Sequence, residues 1–180
     1  MGQTKTPLPV KLFIGVLAVN EKICQDFESD LIEKFGPIDY SSPLIPFNIT
    51  SYYVKEMGPV ILRRFYSFKN LIDPGELADI KLWTNELELR SGSNRKINLD
   101  PGYLTGAKVI LATTKNYAHR IYIGKGIYAE VTLRYKGKSF LPFDYTYPDY
   151  ATQEYFNTFE QIRNLYMEQI LPILKNNQLT

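Results

Sequence analysis

The sequence predicts an α+β fold with a ferredoxin-like β-α-β-β-α-β core, and three observations carry that expectation. Lys11–Val19 (KLFIGVLAV) is a nearly continuous apolar run of strand length, which suits a central strand covered on both faces. Two segments that open on capping residues, 20–35 and 73–87, carry apolar residues at helical spacing. The segment 118–134 (AHRIYIGKGIYAEVTLR) holds two alternating runs joined by Gly124-Lys125-Gly126, the pattern of a β-hairpin.

Residues 1–9 are polar with two prolines and read as a loose lead-in. In the first strand, Gly15 marks a bulge or a close backbone approach. Asn20 caps a helix whose stripe is Cys24, Phe27, Leu31 and Phe35, and Gly36-Pro37 stops it. Leu44–Ile49 is a short, proline-broken edge strand. Residues 50–59 fit a helical turn or a loop equally well. Val60–Phe68 reads as a strand and 70–73 as a turn. Asp73-Pro74 with Glu76 forms a capping box for a helix carrying Leu77, Ile80, Thr84 and Leu87 and ending near Gly92. A turn at 91–94 and a short strand, Lys96–Leu99, complete the six elements of the core.

The remainder extends it. A second Asp-Pro-Gly, at 100–102, predicts a further helix, because Asp caps and Pro fits the first helical turn. Ala107 and Val109–Ala112 supply its apolar run. The hairpin follows, then a strand at Ser139–Phe143. A C-terminal helix presents Tyr155, Phe159, Ile162, Tyr166 and Ile170 on one face, and Pro172 is expected to end or kink it. No linker divides the chain, so residues 1–180 read as a single domain. A three-residue Gly-Lys-Gly loop sets the hairpin register: Ile123 opposite Ile127, Tyr122 opposite Tyr128, Ile121 opposite Ala129, Arg120 opposite Glu130. It sorts Ile121, Ile123, Ile127, Ala129, Val131 and Leu133 to one face. Arg120, Tyr122, Tyr128, Glu130, Thr132 and Arg134 fall on the other.

Composition excludes several classes. The 180 residues are 44% hydrophobic and 22% charged, an ordinary globular balance, and the net charge of +2 gives no broad nucleic-acid footprint. One Cys and one His cannot build a Cys/His zinc site within one chain, and Cys24 has no disulfide partner, which fits a reducing, cytoplasmic setting. No apolar run approaches the ~18 residues of a membrane span. Cofactor and oligomeric state are set by nothing in the sequence.

Several phrases resemble one family. FGPIDY at Phe35, LIDPGELADIKLWTNELE at Leu71, INLDPGYLT at Ile97, AHRIYIGKGIYAEVTLRY at Ala118 and YPDY at Tyr147 are similar to a prokaryotic family catalogued as domain of unknown function 4416. The resemblance spans nearly the whole chain and implies a bacterial or archaeal origin, with no settled activity to transfer. Members are sometimes loosely labelled GTP-binding, and these residues do not support the label. A phosphate-binding P-loop needs a Gly five residues before its Gly-Lys-Ser/Thr. Gly137-Lys138-Ser139 has Thr132 in that place, and Pro142 obstructs the helix that should follow.

The candidate site is the polar face of the 119–134 hairpin. Arg120 and Arg134 can hold phosphate or carboxylate through their guanidinium forks, Tyr122 and Tyr128 can stack on a ring, and Lys115 can reach a phosphate. Glu130 and His119 are the acid–base candidates. The plain alternative is a solvated sheet face with an Arg120–Glu130 ion pair, and a His119 that shares the apolar face with Ile121 and Val131. Asp100, Asp144 and Asp149 could join Glu130 around Mg²⁺ or Ca²⁺, although their spacing matches no metal loop and Asp100 and Asp149 read as helix caps. Arg63 and Arg64 with Tyr66 and Phe68 could form an RNA-reading sheet surface. The expectation is a domain that binds a small anionic, nucleotide-like ligand and has groups suited to catalysis. The alternative is a non-catalytic module that contacts RNA or a protein.

Overall fold

The computed structural model describes residues 2–48, 57–92 and 95–177. In chain order the elements are β1 (Val10–Ala18), α1 (Glu21–Phe35), β2 (Ile38–Ser41), β3 (Ile45–Pro46) and β4 (Leu62–Ile72). A 3₁₀ turn (Pro74–Glu76) leads into α2 (Leu77–Leu89). Then come β5 (Ile97–Leu104), β6 (Lys108–Thr113), β7 (Ile121–Gly124), β8 (Ile127–Lys136), β9 (Ser139–Pro142) and α3 (Gln153–Asn177). Most of the 50–59 segment lies outside the described residues.

The nine described strands form one antiparallel sheet in the order β2-β4-β1-β5-β6-β8-β7. β3 extends the β2 edge along β4, and β9 extends the β7 edge along β8. β1 is buried along its whole length. Its Leu12, Ile14, Val16 and Ala18 pack against the α1 stripe and against Ile80 and Leu87 of α2. On the other face Phe13 meets Phe65, Leu111 and the buried row of α3, from Tyr155 to Ile170. Both helices of the first half therefore lie on one side of the sheet, and α3 lies on the other.

The helix ends follow the expected chemistry. The Asn20 side chain accepts from the Ile23 N–H at 3.0 Å, and Gly36 closes α1 at φ 87°. Asp73 and Glu76 form the expected capping box. At α3 the cap is Thr152, not Asp149: its hydroxyl receives the Tyr155 N–H at 3.4 Å. α3 also runs on past Pro172 to Asn177. The lost backbone bond is outweighed there by Ile173 and Leu174, which pack into the same core as Ile170. Among the described residues no helix is long and apolar enough to cross a membrane.

The expected helix at Asp100 does not form: both stretches it would have used are strands, β5 and β6. Ile97–Leu104 pairs with β1 over eight residues, from Ala18↔Ile97 to Lys11↔Leu104, and that tertiary partner overrides a local helix-start signal. Strand β2 was not foreseen either, because its alternation of Ile38 and Tyr40 with Asp39 and Ser41 runs for only four residues, directly after the Gly36-Pro37 stop.

The hairpin differs from expectation at its tip and in its middle. Ile121↔Ala129 and Tyr122↔Tyr128 are paired as expected, but Gly124, not Ile123, faces Ile127. The loop is Lys125-Gly126 at φ 55° and 77°, two left-handed residues whose twist matches the flanking strands. Further along, β6 pairs Val109↔Leu133 and Ile110↔Val131, so Thr132 is an extra residue in β8. That bulge reverses the alternation. Leu133 turns to the α3 core, while Ile127, Ala129 and Val131 pack with Ile110 and Ala112 against α2. Ile121 and Ile123 are exposed, because no layer covers β7.

Candidate functional site

A cleft of about 920 Å³ opens where β5 and β6 separate. The two strands pair from Leu104↔Val109 only as far as Gly102↔Leu111. The odd-numbered residues of β5 turn their backbone groups toward β6, so Pro101 presents a ring nitrogen without a hydrogen where the next ladder bond would form. Gly102 is needed one residue later. A Cβ there would collide with the Ile110 carbonyl oxygen and lie 2.5 Å from Phe13 Cζ. The Asp-Pro-Gly phrase thus holds the strands close at Gly102 and releases them at Pro101.

Side chains of α2 replace the missing strand partner. Glu88 Oε1 accepts from the Leu99 N–H at 2.7 Å, and Lys81 Nζ donates to the Leu99 carbonyl at 2.8 Å. Arg95 Nε donates to the Ile97 carbonyl at 3.3 Å, and its NH2 donates to Glu88 Oε2 at 2.6 Å and to Asn98. These groups satisfy a strand edge that would otherwise be buried without partners.

Arg63 occupies the floor. It donates to Asp100 (3.4 Å), Asp149 (3.3 Å) and the Tyr155 hydroxyl (3.2 Å), and its guanidinium lies 5.4 Å from the Phe47 ring and 5.5 Å from that of Phe65. Gly15 makes room for it: a Cβ would stand 2.9 Å from Arg63 NH1 and 3.3 Å from the Tyr150 hydroxyl. The far wall is built on Glu130. Its Oε2 accepts from Arg120 Nε (2.9 Å) and meets His119 Nε2 at 3.1 Å, and its Oε1 accepts from the Thr132 hydroxyl (3.1 Å). Arg120 in turn donates to the Tyr147 hydroxyl at 2.9 Å and to the Lys115 carbonyl at 3.0 Å.

Burial and these charges pull the carboxyls apart. Burial would raise the Asp100 carboxyl, but Lys81, Arg63 and the Asn98 amide outweigh it and hold the group below its usual range. Burial pushes Asp149 up despite Arg63, and Glu88 up despite Lys81, the Leu99 N–H and Arg95. The Tyr155 phenol is pushed up to about 12 by burial, with Arg63 opposing. The cleft thus holds one carboxyl whose proton affinity is lowered and two whose affinity is raised, a spread that suits groups with different proton-transfer roles.

Residues 8–166 match a family model described as Domain of unknown function (DUF4416). The chain belongs to that family. No curated protein and no solved structure matches it. All the DUF4416 residues that build the cleft, from Phe47 to Tyr150, fall inside the matched segment.

The cleft takes in only part of the expected site. Arg120, Glu130, Lys115 and Asp100 line it, and His119 touches it through Glu130 while stacking on Tyr145 at 4.3 Å. His119 precedes β7 and is not on the apolar face. Tyr122 and Tyr128 lie outside the cleft, their rings 5.4 Å apart near the hairpin tip, and Arg134 is exposed over Phe143. Asp144 is exposed and outside the cleft as well, and among the described residues no three His, Cys, Asp or Glu side chains gather as a metal site. Tyr66 and Phe68 are fully buried beneath α1, so with Arg63 and Arg64 they form no open sheet surface. Burial pushes the Cys24 thiol up to about 11. Gly137-Lys138, half of a P-loop phrase, is the left-handed turn between β8 and β9.

Sequence reasoning gave Arg63 a different role and missed Lys81, Glu88, Arg95 and Asn98. The signal was present for three of them. Lys81 and Glu88 share the inward row of α2 with Leu77 and Thr84, and Arg63 alternates with the buried Phe65 in β4. A charge on the inward side of an apolar pattern needs a partner, and here the partners are Asp100, Asp149, Arg95 and the Leu99 backbone.

Proposed function

We propose that this DUF4416 protein binds a small anionic ligand in the cleft between β5 and β6, with proton-transfer groups within reach of it. The observation that carries this reading is the convergence of Arg63, Lys81, Arg95, Lys115 and Arg120 on one concavity large enough for a metabolite. Arg95 and Lys115 are the solvent-facing members, whereas Arg63 and Arg120 are almost fully buried in ion pairs. Arg120→Ala would leave Glu130 buried without its guanidinium, at a cost of about 3–5 kcal/mol, so it is a poor probe of binding. A catalytic step would draw on Asp149 and Glu88, whose proton affinity burial raises, and on Glu130 with His119.

The test is a thermal-shift panel of nucleotides, sugar phosphates and carboxylates on the wild type, Lys115→Gln and Arg95→Gln. A ligand at a hundred times its Kd adds about 2.7 kcal/mol, roughly 5–10 °C for a chain of this size. A rise in the wild type that both variants lose is expected. No rise, or one that both variants keep, contradicts the reading.

We read the first half as ferredoxin-like. The β-α-β-β-α-β order that remains when the two-residue β3 is counted with the β2 edge, the strand order β2-β4-β1-β5 and the two helices on one face support this. A cytoplasmic location belongs to the same reading, supported by the single free cysteine. One observation favours a second function, a protein-binding module. Edge strand β7 exposes Ile121 (70%) and Tyr122 (59%) with no charge among its four residues, and natural edges of that kind invite pairing.

A further inference from the structure

The charge of the cleft narrows what can enter it. Among the described lining residues five cationic side chains meet four carboxylates, Glu88, Asp100, Glu130 and Asp149, a formal balance of +1. A triphosphate brings about four negative charges, and sites that hold such groups surround them with cations and backbone N–H donors. Here Arg63, Lys81, Arg95 and Arg120 already face carboxylates. A polyanion held by those four would stand beside negative charge.

The carboxylates are not equally committed. Glu130 has Arg120, His119 and Thr132 on its two oxygens, and Glu88 has Arg95 and the Leu99 N–H. Asp149 is held by Arg63. The side chain of Asp100 is 25% exposed, against 2% for Glu130, 9% for Asp149 and 10% for Glu88. Its Oδ2 accepts from Asn98 at 2.6 Å and Arg63 at 3.4 Å. Its Oδ1 has no donor within hydrogen-bond distance among the described residues, since Lys81 Nζ stands 3.7 Å away. A ligand that covered this oxygen without offering a donor would strip water from an ionised group and give nothing back.

From this we infer that the ligand is dipolar: a small amino acid or short peptide, with a donor nitrogen on Asp100 Oδ1 and an acid group toward Arg95 and Lys115. The lowered proton affinity of Asp100 fits, because the acceptor stays ionised throughout the neutral range. The inference rests on the proposed anion-binding role of the cleft and adds the class of molecule it takes. Sites built to pair a donor reject analogues that lack it by several powers of ten. Deaminated acids should therefore bind at least about 100-fold more weakly.

The experiment compares three ligand sets on the intact protein by thermal shift and calorimetry: pooled amino acids and dipeptides, the matching 2-oxo and deaminated acids, and GTP with inorganic pyrophosphate. Asp100→Asn, checked for folding by circular dichroism, is measured beside the wild type. Stabilisation by the amino set alone, lost in Asp100→Asn, is the expected result. Equal stabilisation by the deaminated acids, stronger stabilisation by GTP or pyrophosphate, or an undiminished amino response in Asp100→Asn overturns the dipolar ligand and leaves anion binding standing. Silence from all three sets overturns both. The comparison of amino with deaminated acids needs no variant, so it decides the matter even if Asp100→Asn fails to fold.

Discussion

Asp149 and Asp100 share the Arg63 guanidinium, yet they respond to it in opposite directions. The difference lies in supporting donors: Asp100 also has Lys81 and the Asn98 amide, while burial dominates at Asp149, whose other donors are the backbone N–H groups of Asp149 and Tyr150. Folding stability should carry both signs. The Asp100 contribution is present above the ordinary carboxyl range near pH 4 and fades as pH falls through its lowered pKa. The raised Asp149 and Glu88 contribute most below their unfolded pKa values and lose that contribution as pH climbs through their raised ones. Asp149→Asn, which keeps the shape and removes the titration, should therefore gain on the wild type as pH rises from 4 to 7. Urea unfolding of both proteins across that range checks this, and a stability difference independent of pH would contradict it.

At the scale of elements, the cleft depends on three residues of β5 that read as something else in the sequence. Asp-Pro-Gly opens helices because each residue suits a first turn, and at Asp73 it does so. At Asp100 the same phrase lies in a strand, where Asp becomes the floor carboxylate, Pro ends the β5–β6 ladder and Gly permits the close approach. Gly102→Ala should cost about 1–3 kcal/mol or more, because the added methyl meets backbone and the Phe13 ring rather than a flexible side chain. Pro101→Ala should change stability by no more than about 1 kcal/mol, since the lost ring constraint is small and the new N–H faces an open strand edge. Urea melts of the two variants would separate them, and a loss at Pro101 as large as at Gly102 would sink this view of the phrase. The elements that were legible were those with caps and full periodicity: α1, α2, α3 and the hairpin strands. The start of β5 was read as a strand, but its continuation from Asp100 and all of β6 were misread as a helix, because only β1, about eighty residues or more away in sequence, carries the strand on to Leu104. The Thr132 bulge has no local signature either, and it is what sends Leu133 away from Val131.

Across the whole molecule, the sheet brings to one concavity residues from β4, α2, β5, the chain after β6, β8 and the loop before α3. Hairpin residues alone therefore showed one wall, Lys115, Arg120 and Glu130, and could not show Arg63 or the α2 side chains that complete it. The same architecture leaves β7 as an uncovered apolar edge, so the molecule offers two surfaces, a charged cleft and a strand edge. The most direct way to tell which one works is amide chemical-shift mapping on the ¹⁵N-labelled full chain, titrated with whichever acids stabilise it. Shifts on Asn98, Asp100, Thr113, Lys115, Arg120 and Tyr147 are expected for a ligand held in the cleft. Shifts confined to Ile121–Gly126, with the cleft amides unmoved, would contradict it.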